Sequence, residues 1–102
     1  MARVIAEQSF EKPLSDEELA VISRKLDACL EIRGGAWVRS YLSVDRKRMI
    51  CDFDAPDAET VRQAMHSAES KFDRVWSAQV FAVEDYPEHL AKLNQLRAGR
   101  AK

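Results

Sequence analysis

The sequence is poor in the residues that carry most metal and covalent chemistry. Its 102 residues include only two histidines, two cysteines and three glycines. His66 and His89 lie far apart, without the i, i+4 spacing of a helix-borne metal site. Cys29 and Cys51 have no CxxC spacing and no neighbouring histidine, which is typical of reduced core thiols. We therefore predict no metal ligand among these residues.

Several familiar signatures are also missing. There is no GxGxxG, P-loop or GxSxG motif and no Cys-His pair, so neither a nucleotide cofactor nor covalent nucleophilic catalysis is supported. The N-terminal MARVIAEQSF is interrupted by Glu7 and Gln8, too polar for a signal peptide and too short to span a bilayer. A net charge of -1 gives no long-range attraction to nucleic acid or anionic lipid. We expect a cytoplasmic protein with no cofactor that binds neither nucleic acid nor membrane.

What the sequence does contain is a clear succession of strand and helix patterns in one domain. The patterns predict strands over 3–10, 37–44, 48–53 and 74–83, helices over 16–32 and from Pro56, and a short helix beyond Pro87. This order predicts an α+β, ferredoxin-like βαββαβ fold: an antiparallel sheet with two helices on one face, plus a C-terminal helix. Residues 1–83 form the predicted domain. Residues 84–102 form a C-terminal helical extension with Leu90 and Leu93 inward.

Alternation along the strands divides their side chains between two faces of the sheet. The set expected against the helices is Val4, Ala6, Val38, Leu42, Met49, Cys51, Phe53, Ala78 and Val80. The set expected on the other face is Ile5, Glu7, Trp37, Arg39, Tyr41, Ile50, Asp52, Val75, Gln79 and Phe81. This second face is too apolar to be left in water, and a two-fold partner is the commonest cover. We predict a homodimer of the dimeric α/β-barrel type.

The polar residues among these aromatics form the candidate site. Once buried by a partner they need hydrogen-bond or charge partners of their own, because an unpaired buried charge is costly. In one interpretation Arg39 pairs with Asp52 or Glu7 and only fixes the register of the strands. In the other, a cavity between the sheets binds a small polar molecule, with Arg39 holding an anion and Tyr41 donating a hydrogen bond. The candidate ligand-binding residues are Arg39, Tyr41, Trp37, Asp52, Glu7 and Gln79. The candidates for acid–base catalysis are Asp52, Glu7 and Tyr41.

Short motifs in a fixed order also point to a family. They are Trp37-Val-Arg-Ser40-Tyr41, the charged turn with Asp45, Cys51, Asp54-Ala55-Pro56-Asp57 leading into Val61-Arg62, and Asp73-Arg74-Val75. Over about residues 3 to 83 the chain resembles the bacterial family catalogued as domain of unknown function 4242. The resemblance implies a ferredoxin-like fold and, from one nickel-binding branch, nickel as a candidate ligand.

This sequence departs from the family's pattern at two positions where histidine is common, which here are Arg39 and Ala64. Guanidinium cannot lose its proton and is no metal ligand, so the pocket is better suited to an anion than to a cation.

Three functions stay open at this point. The first is a dimeric ligand-binding protein with an intersheet cavity for a small polar molecule or, secondarily, a nickel ion. The second is a cofactor-independent isomerase, lyase or monooxygenase, which rests on analogy of fold alone. The third is a non-catalytic structural or regulatory dimer.

Overall fold

The computed structural model describes residues 1–100, apart from the side chain of Arg100. The elements follow in the predicted order: β1 (Ala2–Ser9), α1 (Asp16–Glu31), β2 (Ala36–Leu42), β3 (Arg48–Ala55), α2 (Ala58–Ser67), β4 (Arg74–Ala78), a 3-10 turn (Val83–Asp85) and α3 (Pro87–Arg100). The largest difference from prediction is in β4, which ends at Ala78 and does not continue to Val83.

The four strands form one antiparallel sheet in the order β2-β3-β1-β4. The two central strands, β3 and β1, come from different halves of the βαββαβ succession, which is the hallmark of the ferredoxin-like arrangement. The predicted α+β fold is therefore confirmed.

Helix α1 begins and ends at residues that its sequence specifies. The Ser15 hydroxyl accepts a hydrogen bond from the Glu18 amide at 3.1 Å, and the Glu18 carboxylate accepts one from the Ser15 amide at 3.3 Å. This reciprocal capping box satisfies two backbone donors that the helix itself leaves free. At the other end Gly34 has a φ of 76°, and the amides of Gly34 and Gly35 bond back to carbonyls of the last turn. The helix thus ends in a Schellman motif.

The core lies between helices α1 and α2 and one face of the sheet. Its largest fully buried side chains are Phe53, Leu26, Leu30, Met49, Met65, Val4, Val61 and Cys51. Burying a large aliphatic or aromatic side chain contributes about 1.5–3 kcal/mol, so this layer supplies most of the driving force for folding. The alternation predicted for β1 and β3 is confirmed. We call the opposite face of the sheet, which α1 and α2 leave uncovered, the open face.

The tip of the β2–β3 hairpin is bonded to the loop that precedes α1. The amides of Phe10 and Leu14 donate to the carbonyls of Lys47 and Arg46, at 2.7 and 2.9 Å. The Arg46 side chain in turn donates to the Leu14 carbonyl and forms an ion pair with Asp16 at 2.7 Å. The loop is therefore held against the hairpin along most of its length.

Helix α3 lies at the edge of the molecule, where its main contacts are with the 3-10 turn. Leu90 and Leu93 are half-buried there, and Leu96 is exposed. The radius of gyration of 15.8 Å exceeds the value of about 13 Å expected for a compact domain of about 100 residues. The division of the chain at residue 84 stays a prediction, and residues 101 and 102 of the extension lie outside the described residues. Within the described part, none of the helices has the length and apolar content required to cross a bilayer.

Candidate functional site

The open face is built from three rows of side chains that run across the four strands. Residues paired across neighbouring strands share a face, so the register fixes each row. From β2 to β4 the rows are Ala36, Asp54, Arg3 and Ala78; Arg39, Asp52, Ile5 and Trp76; and Tyr41, Ile50, Glu7 and Arg74. The first row has two charged residues at its centre, and each of the other two combines charged residues with one aromatic ring and one isoleucine. Sequence alternation placed Arg39, Tyr41, Ile5, Glu7, Ile50 and Asp52 on this face, and the structure brings them together there.

A groove of about 780 Å³ opens on this face. One wall is the sheet, and the other is the chain that follows β4. The lining residues are Arg3, Ile5, Arg39, Tyr41, Asp52, Trp76, Ser77, Ala78, Gln79, Val80, Phe81, Ala82, Val83, Glu84 and Leu93. A concavity of this size, lined by aromatic rings and a few polar groups, is typical of a small-molecule site.

Arg3 holds the acidic side chains at the floor of the groove. Its Nε donates to Asp54 Oδ1 at 3.0 Å and its Nη1 to Asp52 Oδ2 at 3.1 Å. The hydrogen bond with Asp54, together with the charges of both carboxylates, raises the pKa of Arg3, so this guanidinium is charged throughout the usual pH range. The other carboxylate oxygen of Asp52, Oδ1, is buried and has no hydrogen-bond partner among the described residues.

Arg39 lies directly across from Asp52 on the neighbouring strand. Within residues 1–100, however, its guanidinium makes no ion pair, because Asp52 is bound to Arg3 and the Glu7 carboxylate accepts from Trp76 Nε1 at 2.9 Å. The pairing expected in the register-fixing interpretation is thus not found in the described part of the chain. Tyr41, two residues on, is 65% exposed and also lines the groove.

The structure corrects the placement of Trp37, which was expected on the open face. The register of β2 against β3 shifts between Trp37 and Arg39, so Val38 is the extra residue of a β-bulge. Trp37 therefore lies on the core side, with its ring centroid 5.7 Å from that of Phe53. Its Nε1 donates to Ser40 Oγ at 2.7 Å. Trp37 does not line the groove.

The two faces of β4 were also assigned the wrong way round. Val75, expected on the open face, is buried in the core at 7% exposure. Trp76 takes its place on the open face, paired with Ile5. Gln79 follows the end of the strand and still lines the groove. Both faces of this strand carry large apolar side chains in the sequence, so alternation alone offered no signal that could have identified Trp76 as a site residue.

The remaining donors are not gathered into a metal centre. Among the described residues there is no cluster of three or more His, Cys, Asp or Glu side chains able to hold a metal ion. Cys51 is buried, and this burial raises the pKa of its thiol to about 11. His66 is exposed on α2, away from the open face.

Comparison with known proteins places this geometry in a family. The family model described as nickel responsive protein SCO4226-like matches residues 5–77. The crystal structure of SCO4226 from Streptomyces coelicolor A3(2) is similar to this chain with a TM-score of 0.72 at 15% identity, over 79% of this chain and 100% of that chain. At this identity the likeness establishes the fold. No curated protein matches. The label domain of unknown function 4242 is not confirmed, and what the match supports is the likeness to a nickel-related family.

Proposed function

The chain belongs to the SCO4226-like family of nickel responsive proteins, and from that premise we propose that it is a small ligand-binding protein whose site is the groove on the open face. One observation carries the proposal. Arg39 lines the groove without an ion-pair partner among the described residues, whereas Arg3 beside it is fully engaged by two carboxylates. A free guanidinium next to aromatic rings is suited to bind a carboxylate, sulfonate or phosphate through two parallel hydrogen bonds.

The chemistry of the walls favours binding over catalysis. Asp52 and Glu7, the candidate acids and bases, already bond to Arg3 and Trp76 within the sheet. Asp52 is therefore better placed to hold the groove in shape than to exchange protons with a ligand, and Glu7 does not line the groove. Tyr41 is free to donate a hydrogen bond to a bound anion, and Trp76 offers a ring for its apolar part.

The residues present do not fit a nickel ion. A divalent site needs several neutral imidazole, thiolate or carboxylate donors close together. Here Asp52 is bound to Arg3 through Oδ2 and lies across from Arg39 in the sheet. Its Oδ1 is without a partner among the described residues, which hold no cluster that could complete the coordination. We infer that the ligand of this member is an anion, and that any response to nickel does not run through this groove.

We further propose that two copies of the chain meet through their open faces. Tyr41, Ile50 and Trp76 are 65%, 42% and 45% exposed on this face, and a group of exposed apolar side chains rimmed by charged ones is typical of an interaction surface. The face also carries three arginines and three carboxylates, namely Arg3, Arg39, Arg74, Glu7, Asp52 and Asp54. Since these charges balance, the face can meet its own copy around a two-fold axis without net repulsion.

Ligand binding is tested with two fluorescent probes that differ in one charge. These are 1-anilinonaphthalene-8-sulfonate, an aromatic anion, and N-phenyl-1-naphthylamine, its neutral counterpart. In Arg39→Gln we expect the affinity for the sulfonate to fall about 5- to 10-fold while that for the neutral probe is unchanged. Arg74→Gln is the matched control, because Arg74 lies on the same face outside the groove. Equal sulfonate affinity in the wild type and Arg39→Gln contradicts the proposal.

Dimerisation is tested by analytical ultracentrifugation at micromolar concentration. We expect the wild type to sediment as a dimer and Ile50→Glu as a monomer. Val44→Glu places the same charge at the hairpin tip, where Val44 is fully exposed, and should stay dimeric. A monomeric wild type refutes the proposed face-to-face assembly, and circular dichroism of both variants establishes that they fold.

A further inference from the structure

The second wall of the groove is made by chain beyond the part that matches the family. The match ends at residue 77, and the chain then runs through residues 79–82 to the 3-10 turn. We call residues 79–84 the C-terminal wall. Phe81 and Glu84 of this wall line the same groove as Arg39. Phe81 is 79% exposed, so the rest of the described chain leaves most of its ring uncovered. Phenylalanine is more often buried in the core.

We propose that the C-terminal wall completes the ligand site and gives it a second, oppositely charged contact, so that the groove binds a zwitterionic ligand with an aromatic body. This rests on the proposed function and deepens it. The anionic end of the ligand binds Arg39 on the sheet. The cationic end binds Glu84 on the wall, and the ring lies between Trp76 and Phe81.

The distribution of charge carries this inference. Four charged residues line the groove, and two of them, Arg3 and Asp52, are already joined in an ion pair. The remaining two, Arg39 and Glu84, have opposite signs, lie on opposite walls and form no ion pair within the described residues. A ligand with an anionic end alone would leave the Glu84 carboxylate uncompensated in the same cavity. A ligand with both charges satisfies both walls.

The volume of the groove and its aromatic lining indicate the size and the aromatic character of the ligand. About 780 Å³ is far more than a single inorganic anion fills, and it lies within the range of about 300–1,000 Å³ that is typical of drug-sized ligands. Trp76 is 45% exposed, and with Phe81 it offers two ring surfaces at the mouth of the groove. Aromatic pairs prefer offset or edge-to-face contact, so a planar group in the ligand is better matched here than an aliphatic chain. A short peptide with free termini and a central aromatic residue has this size and chemistry.

The test uses the tripeptide Gly-Trp-Gly in three forms, measured by isothermal titration calorimetry. One form has free termini, the second has an acetylated N-terminus and the third an amidated C-terminus. With the wild type we expect the free tripeptide to bind about fivefold more tightly than either capped form. In Glu84→Gln the advantage of the free over the acetylated form should disappear, while affinity for the acetylated form is retained. Glu88→Gln, on exposed α3 outside the groove, is the matched control and should behave as wild type.

The outcomes separate this inference from the proposed function. If the acetylated peptide binds as tightly as the free one and its binding depends on Arg39, then the anion site stands and the zwitterion inference is overturned. Loss of the advantage in Glu88→Gln as well as in Glu84→Gln also overturns it, because a general charge effect is then responsible. If no form binds and the naphthalene sulfonate is insensitive to Arg39→Gln, the proposed function itself fails.

A second variant examines the aromatic contact independently. Phe81→Ser removes the ring from the C-terminal wall without touching either charge. We expect it to weaken binding of Gly-Trp-Gly about 2- to 10-fold and to leave that of Gly-Gly-Gly unchanged. An equal effect on both peptides, or none on either, contradicts a role for Phe81 in selecting aromatic ligands.

Discussion

Replacement of Glu69 by glycine should stabilise the protein, although it removes a charged side chain and adds no contact. Glu69 follows the last turn of α2 and has a φ of 56°, in the left-handed region that side chains other than glycine adopt at a cost. Its amide bonds to the His66 carbonyl at 3.1 Å, and the next amide, of Ser70, bonds to Met65 at 2.8 Å. This is a Schellman motif with glutamate at the position that glycine usually occupies.

The expected gain follows from two opposing terms. The left-handed conformation costs a residue with a Cβ about 1–2 kcal/mol, and glycine would relieve this cost. Glycine also makes the unfolded chain more flexible, which offsets about 0.4–1 kcal/mol of the gain. Because the Glu69 side chain is exposed, little else is lost. The net gain is about 1 kcal/mol, which for a domain of this size raises Tm by about 4–8 °C.

The assay is thermal unfolding followed by circular dichroism, with urea unfolding as a second measurement. Glu69→Ala is the control, because it removes the same carboxylate but keeps the Cβ, and its stability should stay within about 0.5 kcal/mol of wild type. If Glu69→Ala gains as much as Glu69→Gly, the cause is the lost charge and the backbone explanation is wrong. If neither variant gains, the left-handed conformation is not a source of strain.

Three further predictions concern the core, a cap and pH. Leu26 is fully buried, so Leu26→Ala should cost about 2–5 kcal/mol in urea unfolding, whereas Val21→Ala, at a 44% exposed position of the same helix, should cost much less. Ser15→Ala removes the capping box and should cost about 1 kcal/mol, with Ser15→Asp restoring most of it. The pKa of the Cys51 thiol is raised from 9.0 to about 11 by burial, so between these pH values the unfolded chain binds fewer protons than the folded one, and stability should fall as pH rises. The free energy of unfolding should fall by about 2–3 kcal/mol over this range. In Cys51→Ala the free energy of unfolding should decline less steeply above pH 9, which checks the prediction.

The architecture and the central strands could be predicted because the sequence pattern of β1 and β3 allows only one of their two faces to be buried. On β1 and β3 one alternating set carries no charge and is mostly apolar, as in Val4 and Ala6 or Met49 and Phe53, and the other set includes charged residues. Burial of a charge is costly, so only one set can face the helices. The same reasoning placed Arg39, Asp52 and Glu7 on the open face.

The edge strands could not be predicted because their patterns are ambiguous. On β4 either Val75 or Trp76 could face the core, because both are apolar. Tertiary packing, which the sequence pattern does not show, decides between them. On β2 the bulge at Val38 shifts Trp37 into the core while leaving Arg39 and Tyr41 outside. No residue of that strand is a glycine, which would have been a signal of a bulge. The C-terminal wall of the groove is not predicted for a related reason, because the alternating pattern predicts that the strand continues through residues 79–83, whereas β4 ends at Ala78.

The bonds between the hairpin tip and the loop before α1 have a consequence for local opening of the fold. The amides of Phe10 and Leu14 belong to a loop, yet their acceptors are the carbonyls of Lys47 and Arg46. An irregular segment ordinarily exchanges its amide hydrogens quickly, but these two can exchange only when the loop separates from the hairpin. Their deuterium uptake therefore reports how often the loop before α1 detaches from the hairpin tip.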